Sequence, residues 1–284
     1  MKSQIFRDDV LTGKVALITG GGSGIGSGAA RELARLGAEV VIASRKPERI
    51  SAAAEGLSAE LGRTVHGIPC DIRDRDAVAA LVDGTLDRLG RIDILVNNGG
   101  GQFFSPAQFI SPKGFDAVVA TNLTGTWNLT QAVANKWMVE NGGGRIINIT
   151  MNTNRGFPGM AHSVAARAGV EGMTKTLAIE WAFANIQINC IQPGVIASSG
   201  LRNYPDAETM VRQAQQQIPA KRLGTVDEIA WTIAWLSSPA GHYVTGQTIT
   251  VDGGRSLWGE TWPIPDPDPM PSWTIPQEPW EEDK

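Results

Sequence analysis

Short apolar runs of four to six residues recur along the chain, each followed by a longer stretch in which Ala and Leu return at helical spacing. VALITG precedes AARELARLGA, EVVIASR precedes ERISAAAEGLSAELG, and HGIPCDIRD precedes AVAALVDGTLDRLG. DILVNNGG leads through a loop to FDAVVATNLTGTWNLTQAVANKWM, and RIINIT leads to VAARAGVEGMTKTLAIEWA. INCIQPG opens a polar insert, after which come the helical VDEIAWTIAWLSS and the final strand QTITVDGG. Strands that are apolar on both faces, alternating with amphipathic helices, specify a parallel sheet covered on both sides. The expected fold is therefore a doubly wound (Rossmann-type) α/β domain of seven parallel strands spanning residues 13–256. Residues 1–12 form an N-terminal arm.

The pattern breaks after residue 256. Residues 258–284 hold seven of the 16 prolines and four of the nine tryptophans. Proline lacks the amide donor and fixes φ, so WPIPDPDPMPSWTIPQEPW is excluded from helix and central strand and is expected to run extended. A disordered acidic tail is the bland alternative. Four indoles are costly to leave in water, which favours packing of tail 257–284 on its own domain or on a neighbouring subunit.

Composition changes this picture little. The 284 residues include 25 Lys and Arg against 29 Asp and Glu, a net charge of −4, so no basic footprint points to nucleic acid. No apolar run approaches the roughly 20 residues of a membrane span. The first residues carry no apolar leader core, and the expected location is the cytoplasm. Cys70 and Cys190 stand far apart and only three histidines occur, which argues against disulfides and against a metal site.

Candidate chemistry begins in the first strand–helix turn. ALITGGGSGIGSGAA places Gly20, Ser23, Gly24, Ile25 and Gly26 where a backbone must turn sharply and approach phosphate without a Cβ in the way. The helix that follows aims its free N–H groups at a pyrophosphate. The end of the second strand should select the cofactor. An acidic residue there would bind the ribose hydroxyls, but this chain has Ser44, Arg45 and Lys46. Two cations and a hydroxyl suit a 2′-phosphate, giving NADP(H) as the expected cofactor. Alternatively, Arg45 and Lys46 only decorate a solvated loop.

TGGGSGIG, CDIRD, NNGG, NLTG, IQPGVI and VDGG, in this order, resemble the short-chain dehydrogenase/reductase family across residues 13–256. The resemblance implies that Asp71 and Ile72 flank the adenine and that Asn98, Gly99 and Gly100 lie along the cofactor. It also implies that Pro193, Gly194, Ile196 and Ser198 wrap the nicotinamide side, and that the chain forms homo-tetramers or dimers. Most of the family works with a Tyr-x-x-x-Lys pair on one helix face, supported by a serine and an asparagine. Only two tyrosines occur here, and neither Tyr204 nor Tyr243 has Lys four residues on. Aligning AHSVAARAGV on the family helix puts Ser163 in the tyrosine place, Arg167 in the lysine place, Thr150 in the serine place and Asn122 in the asparagine place.

A serine hydroxyl is too weak an acid to replace a phenol, and Arg167 keeps its proton at neutral pH. A reaction that needs no strong acid fits better: hydride addition to Cβ of an α,β-unsaturated thioester, with hydrogen bonds to its oxygen from Ser163, Thr150 and a backbone N–H. LVNNGGGQFFSPA, GFPGMAHSVAARAGV and VDGGRSL resemble the peroxisomal trans-2-enoyl-CoA reductase branch and the related 2,4-dienoyl-CoA reductases. The implied partner is an acyl-CoA thioester. The EEDK ending carries no peroxisomal address. Two alternatives stay open: a terpenoid (citronellol-like) alcohol or aldehyde dehydrogenase, and a catalytically silent nucleotide-binding protein.

Gln102, Phe103 and Phe104 follow the fourth strand on the ligand side of the sheet and are candidate substrate contacts, or loop packing. His162 is a candidate proton donor, although its place on the helix favours packing or capping. The polar segment 197–224 is expected to be a substrate lid, with Arg202, Arg212, Lys221 and Arg222 available to coenzyme A phosphates or simply facing water.

Overall fold

The computed structural model describes residues 5–203, 206–259 and 262–281. Seven strands form one wholly parallel sheet: β1 (Val15–Thr19), β2 (Glu39–Ser44), β3 (Val65–Pro69), β4 (Ile94–Asn97), β5 (Gly144–Ile149), β6 (Ile186–Pro193) and β9 (Thr248–Val251), ordered β3-β2-β1-β4-β5-β6-β9. A separate two-residue pair joins β7 (Ile196–Ala197) to β8 (Gly224–Thr225). The central strands β1, β4 and β5 are buried along their whole length, as their unbroken apolar runs require. One face is covered by α1 (Gly24–Arg35), α2 (Pro47–Leu61) and α8 (Val226–Ser237), around a core that includes Leu33, Ile50, Leu57 and Ile233. The other carries α3 (Arg75–Leu89), α5 (Gly125–Val133) and α6 (Ala161–Glu180), over Leu81, Leu129, Val133 and Leu177.

The expected long helix between β4 and β5 starts as α4 (Pro112–Val119) and continues into α5 through a π-helical turn at 120–124, with a second such turn at 134–138. The lid region contains α7 (Ala207–Gln216), preceded by a short 3₁₀ segment. Residues 5–12 are not a free arm: Leu11 is buried and its N–H bonds the Leu36 carbonyl at 2.9 Å.

Hydrophobic patterning gives no hint of a polar chain through the sheet. Asn97 Nδ2 donates to Thr130 Oγ1 and to Asn148 Oδ1, both at 2.8 Å, and Asn148 Nδ2 donates to Thr174 Oγ1 at 2.9 Å. Thr174 in turn meets Cys190 Sγ at 3.2 Å. These groups link β4, β5, β6, α5 and α6 directly beneath the loops that carry the site. Asn148→Ala orphans one Asn97 N–H and opens a void, so a loss of about 2–4 kcal/mol is expected in urea unfolding. Asn148→Asp, which keeps the volume, should also destabilise because it brings an uncompensated charge into the core.

Candidate active site

The strand order reverses between β1 and β4, and doubly wound sheets open a crevice at that point, beyond the carboxyl ends of the strands. A cleft of about 390 Å³ lies there, lined by residues that include Thr19, Gly20, Ser44, Arg45, Asp71, Ile72, Gly99 and Gly100. Gly20 and Gly24 have φ of 64° and 52°, and a Cβ on Gly26 would stand 2.2 Å from the Gly20 carbonyl oxygen. Any side chain at these points would break the turn or fill the cradle. Ser23 is the N-cap of α1, and its hydroxyl makes no capping bond to the helix. Ile25 packs against the core beneath.

Asn98 serves the turn from behind. Its Nδ2 donates to the Thr19 and Gly20 carbonyls at 3.1 and 3.2 Å, while Thr19 Oγ1 accepts from the Asn98 and Gly99 amides. At the end of β2 the Ser44 hydroxyl is buried without a partner, and Arg45 and Lys46 are exposed. Neither cation forms an ion pair among the described residues. A buried unpaired hydroxyl beside free cations fits an anionic group on the ribose. Asp71 is held by Arg73, whose Nε and NH2 reach its carboxylate at 2.9 and 2.5 Å. The hydrogen bonds from Arg73 keep the Asp71 carboxyl below its usual range, with a smaller contribution from Arg45. The Arg73 clasp went unnoticed in the sequence, although an Asp and an Arg two residues apart in a turn are a signal for it.

The other half of the site stands on α6. Arg167 is buried; its NH1 donates to the Ile149 carbonyl at 2.6 Å, and its Nε has no partner. Burial pushes its pKa down to about 10, so the cation persists at neutral pH. A Cβ on Gly100 would come within 2.3 Å of Arg167 NH2 and 2.9 Å of Asn122 Oδ1. The glycine therefore leaves the guanidinium room at the cleft wall. Asn122, buried in the π-helical turn, clamps Gly101 by accepting its N–H at 2.9 Å and donating to its carbonyl at 3.0 Å. One turn before Arg167, the Ser163 hydroxyl donates to Gln102 Oε1 at 2.9 Å and approaches Met151 Sδ at 3.5 Å. Met151 did not figure in the sequence reading, because a thioether has no motif.

Thr150 does not join this group, because its hydroxyl donates to the Ile191 carbonyl at 3.2 Å. His162 is fully buried. Its Nδ1 accepts the Ser163 N–H at 2.8 Å, one of the open amides of the first helical turn, and its ring meets Phe103 edge-on at 4.4 Å. The Nε2 therefore carries the proton in the neutral ring, and it has no partner. Phe103 and Phe104 are exposed, with Phe104 lying against Gly159.

Pro193, Gly194 and Ile196 do not line the 390 Å³ cleft. Gly194 is pressed against Asp252, Ile196 pairs with Gly224, and Ser198 Cβ would be 3.5 Å from a Cβ on Gly24. Of the lid cations, Lys221 is engaged with Asp266 at 2.8 Å and Arg222 with Glu228 at 2.6 Å, while Arg212 stays exposed. The Arg202 side chain and Tyr204 lie outside the described residues. Tyr243 is wholly exposed. No metal-binding cluster occurs among the described residues, and none of their helices is long and apolar enough to cross a membrane.

Comparison with known proteins bears on the family and the fold. A family model described as enoyl-(acyl carrier protein) reductase matches residues 20–256. The peroxisomal 2,4-dienoyl-CoA reductase of Danio rerio is 38% identical, covering 90% of this chain and 85% of its own. Its Rattus norvegicus counterpart is 41% identical over 88% and 86%. Among solved structures, a citronellol catabolism dehydrogenase of Pseudomonas aeruginosa is 41% identical with a TM-score of 0.80, covering 89% of this chain and 99% of that one.

Proposed function

This chain belongs to the short-chain dehydrogenase/reductase family of oxidoreductases, and from that premise we propose that it is an NADPH-dependent reductase of trans-2-unsaturated acyl-CoA thioesters. The observation that carries the reading is the pair on α6: a buried cation, Arg167, and a hydroxyl, Ser163, on one helix face directly behind the cleft-lining Gly100 and Gln102, with no phenol beside them among the described residues. The glycine cradle, the unpaired Ser44 hydroxyl and the free Arg45 and Lys46 would hold the dinucleotide, with Asp71 and Ile72 at its adenine. When bound, the reduced nicotinamide supplies a hydride, which in this reading goes to Cβ of the thioester. Arg167 holds a fixed positive charge in a site of low dielectric, which favours negative charge building up on the substrate. Ser163 already points its hydroxyl hydrogen outward to Gln102 and can turn it to a thioester oxygen. Thr150 has no hydrogen left for that oxygen unless it releases Ile191. Cα takes its proton from water.

The names of the curated relatives support the substrate class, since the dienoyl-CoA reductases act on unsaturated acyl-CoA. Exposed Ile179 and Phe183 offer apolar surface for a homo-oligomer, and the free buried thiols of Cys70 and Cys190 suit the reducing cytoplasm. The resemblance to the citronellol enzyme favours a second reading, a terpenoid alcohol or aldehyde dehydrogenase. Steady-state NADPH oxidation with crotonyl-CoA, a longer trans-2-enoyl-CoA and a 2,4-dienoyl-CoA separates the two. Turnover of the thioesters is expected; turnover confined to a terpenoid aldehyde would reverse the assignment, and NADPH binding with no turnover on any of them would leave a silent nucleotide-binding protein.

A further inference from the structure

The C-terminal segment is built into the nucleotide site. Trp280 Nε1 donates to the Gly22 carbonyl at 2.9 Å, in the middle of the glycine turn. The other face of the indole covers Gly56 of α2, where a Cβ would lie 2.2 Å from Trp280 Cε3. Glycine in a helix interior is destabilising relative to alanine. The space taken by the indole gives that glycine a physical reason. Two residues earlier, Glu278 accepts from the Ser27 hydroxyl at 2.8 Å and pairs with Arg31 at 3.0 Å, both on α1. Glu281 pairs with Arg49 of α2 at 2.7 Å.

Upstream, the same segment grips the lid. Trp273 and Ile275 pack on Leu201, Val211 and Leu223, and Gln215 of α7 donates to the Pro271 carbonyl at 2.9 Å. Between these two anchorages the tail walls a second cleft of about 320 Å³, together with Gly24 and Ala197. One extended stretch, held by two indoles and four carboxylate or carbonyl contacts, thus ties the lid to the dinucleotide turn.

We propose that residues 271–281 are a strap that orders the glycine turn and the lid as one unit, with Trp280 and Glu278 as positioning residues for dinucleotide binding. It rests on the reading of the glycine turn as a dinucleotide site. Three successive glycines, 20–22, have more backbone freedom to lose than any other tripeptide. Fixing the carbonyl of the last of them, Gly22, and the first turns of α1 and α2 removes that freedom before the dinucleotide arrives, which tightens binding without any contact to it. The hydride step is untouched.

In the full-length enzyme, Trp280→Ala should weaken NADPH binding about tenfold in calorimetry and raise its KM in parallel, with kcat within twofold of the parent. Trp280→Phe, which keeps a ring over Gly56 but loses the hydrogen bond to the Gly22 carbonyl, should recover only part of that loss. Gly56→Ala provides an independent route: it leaves the tail sequence intact, gains helix propensity, and displaces the indole from the other side. It should reproduce the tenfold weakening. Amide hydrogen exchange of residues 20–27 should quicken in Trp280→Ala and Gly56→Ala without any cofactor present, which separates a failure of the strap from a failure of the reductase assignment. Unchanged exchange and affinity within twofold in folded Gly56→Ala, whatever the fate of Trp280→Ala, would overturn the proposal.

Discussion

Arg167→Met is expected to lower kcat/KM for a trans-2-enoyl-CoA by about two to three orders of magnitude, a loss typical of removing one fixed electrostatic stabiliser from a dry site. The guanidinium is buried, is anchored by a 2.6 Å bond to the Ile149 carbonyl, and stands against Gly100 at the cleft wall. Methionine fills a similar volume, so a fold defect should contribute little beyond the orphaned carbonyl. Arg167→Lys keeps the charge but is shorter and has no planar fork to reach Ile149 while facing the cleft, and should retain about a tenth of the activity. The pH profile gives a second readout. With its pKa near 10, Arg167 is charged throughout the neutral range, so kcat/KM should be flat from about pH 6 to 9 and fall as the pH passes 10. For stability the sign is opposite. The folded pKa lies below that of the unfolded chain, so burying this cation destabilises the fold below pH 10 and the cost is relieved as pH rises from there.

The sheet was legible because its signal is repeated seven times: each strand is a continuous apolar run, and each helix that follows returns Ala and Leu to one face. The nucleotide turn was legible because glycine is the only residue that serves at Gly20 and Gly26. Ser163 and Arg167 came from the resemblance of AHSVAARAGV to the family helix, and their spacing of four then put both on one face. What stayed hidden depends on contacts between distant segments. The Asn97–Asn148–Thr174 chain joins residues 26 to 51 positions apart, and no local pattern distinguishes a buried asparagine from one in a loop. Thr150 shows the limit of placing a residue by motif: its position follows from the sequence, but the direction of its hydroxyl is set by Ile191 on the neighbouring strand. Gly56 could have flagged the strap, being an otherwise unexplained glycine within a helix. Its partner lies more than two hundred residues away.

Charge reversal at the end of β2 should have the largest effect on cofactor choice. Arg45→Glu is expected to cut kcat/KM for NADPH by about a hundredfold and leave that for NADH unchanged or raised, so that the ratio of the two falls by two to three orders of magnitude. Two effects combine. Loss of a charge-assisted bond to a phosphate dianion costs about 1.5–3 kcal/mol, and the new carboxylate repels the same dianion while it can accept from ribose hydroxyls. Arg45 is exposed, so part of its contribution is Coulombic and should shrink with added salt. Ser44, buried and unpaired, adds a contact that salt does not screen: Ser44→Ala should weaken NADPH several-fold at any ionic strength and spare NADH. Lys46, a flexible point charge one residue on, can replace only part of what Arg45 provides, because an ammonium lacks the fork that grips two phosphate oxygens at once. If Arg45→Glu left the NADPH to NADH ratio where it was, the two cations would be ordinary loop decoration. The unpaired Ser44 hydroxyl would then face the ribose itself, and the cofactor would be NADH.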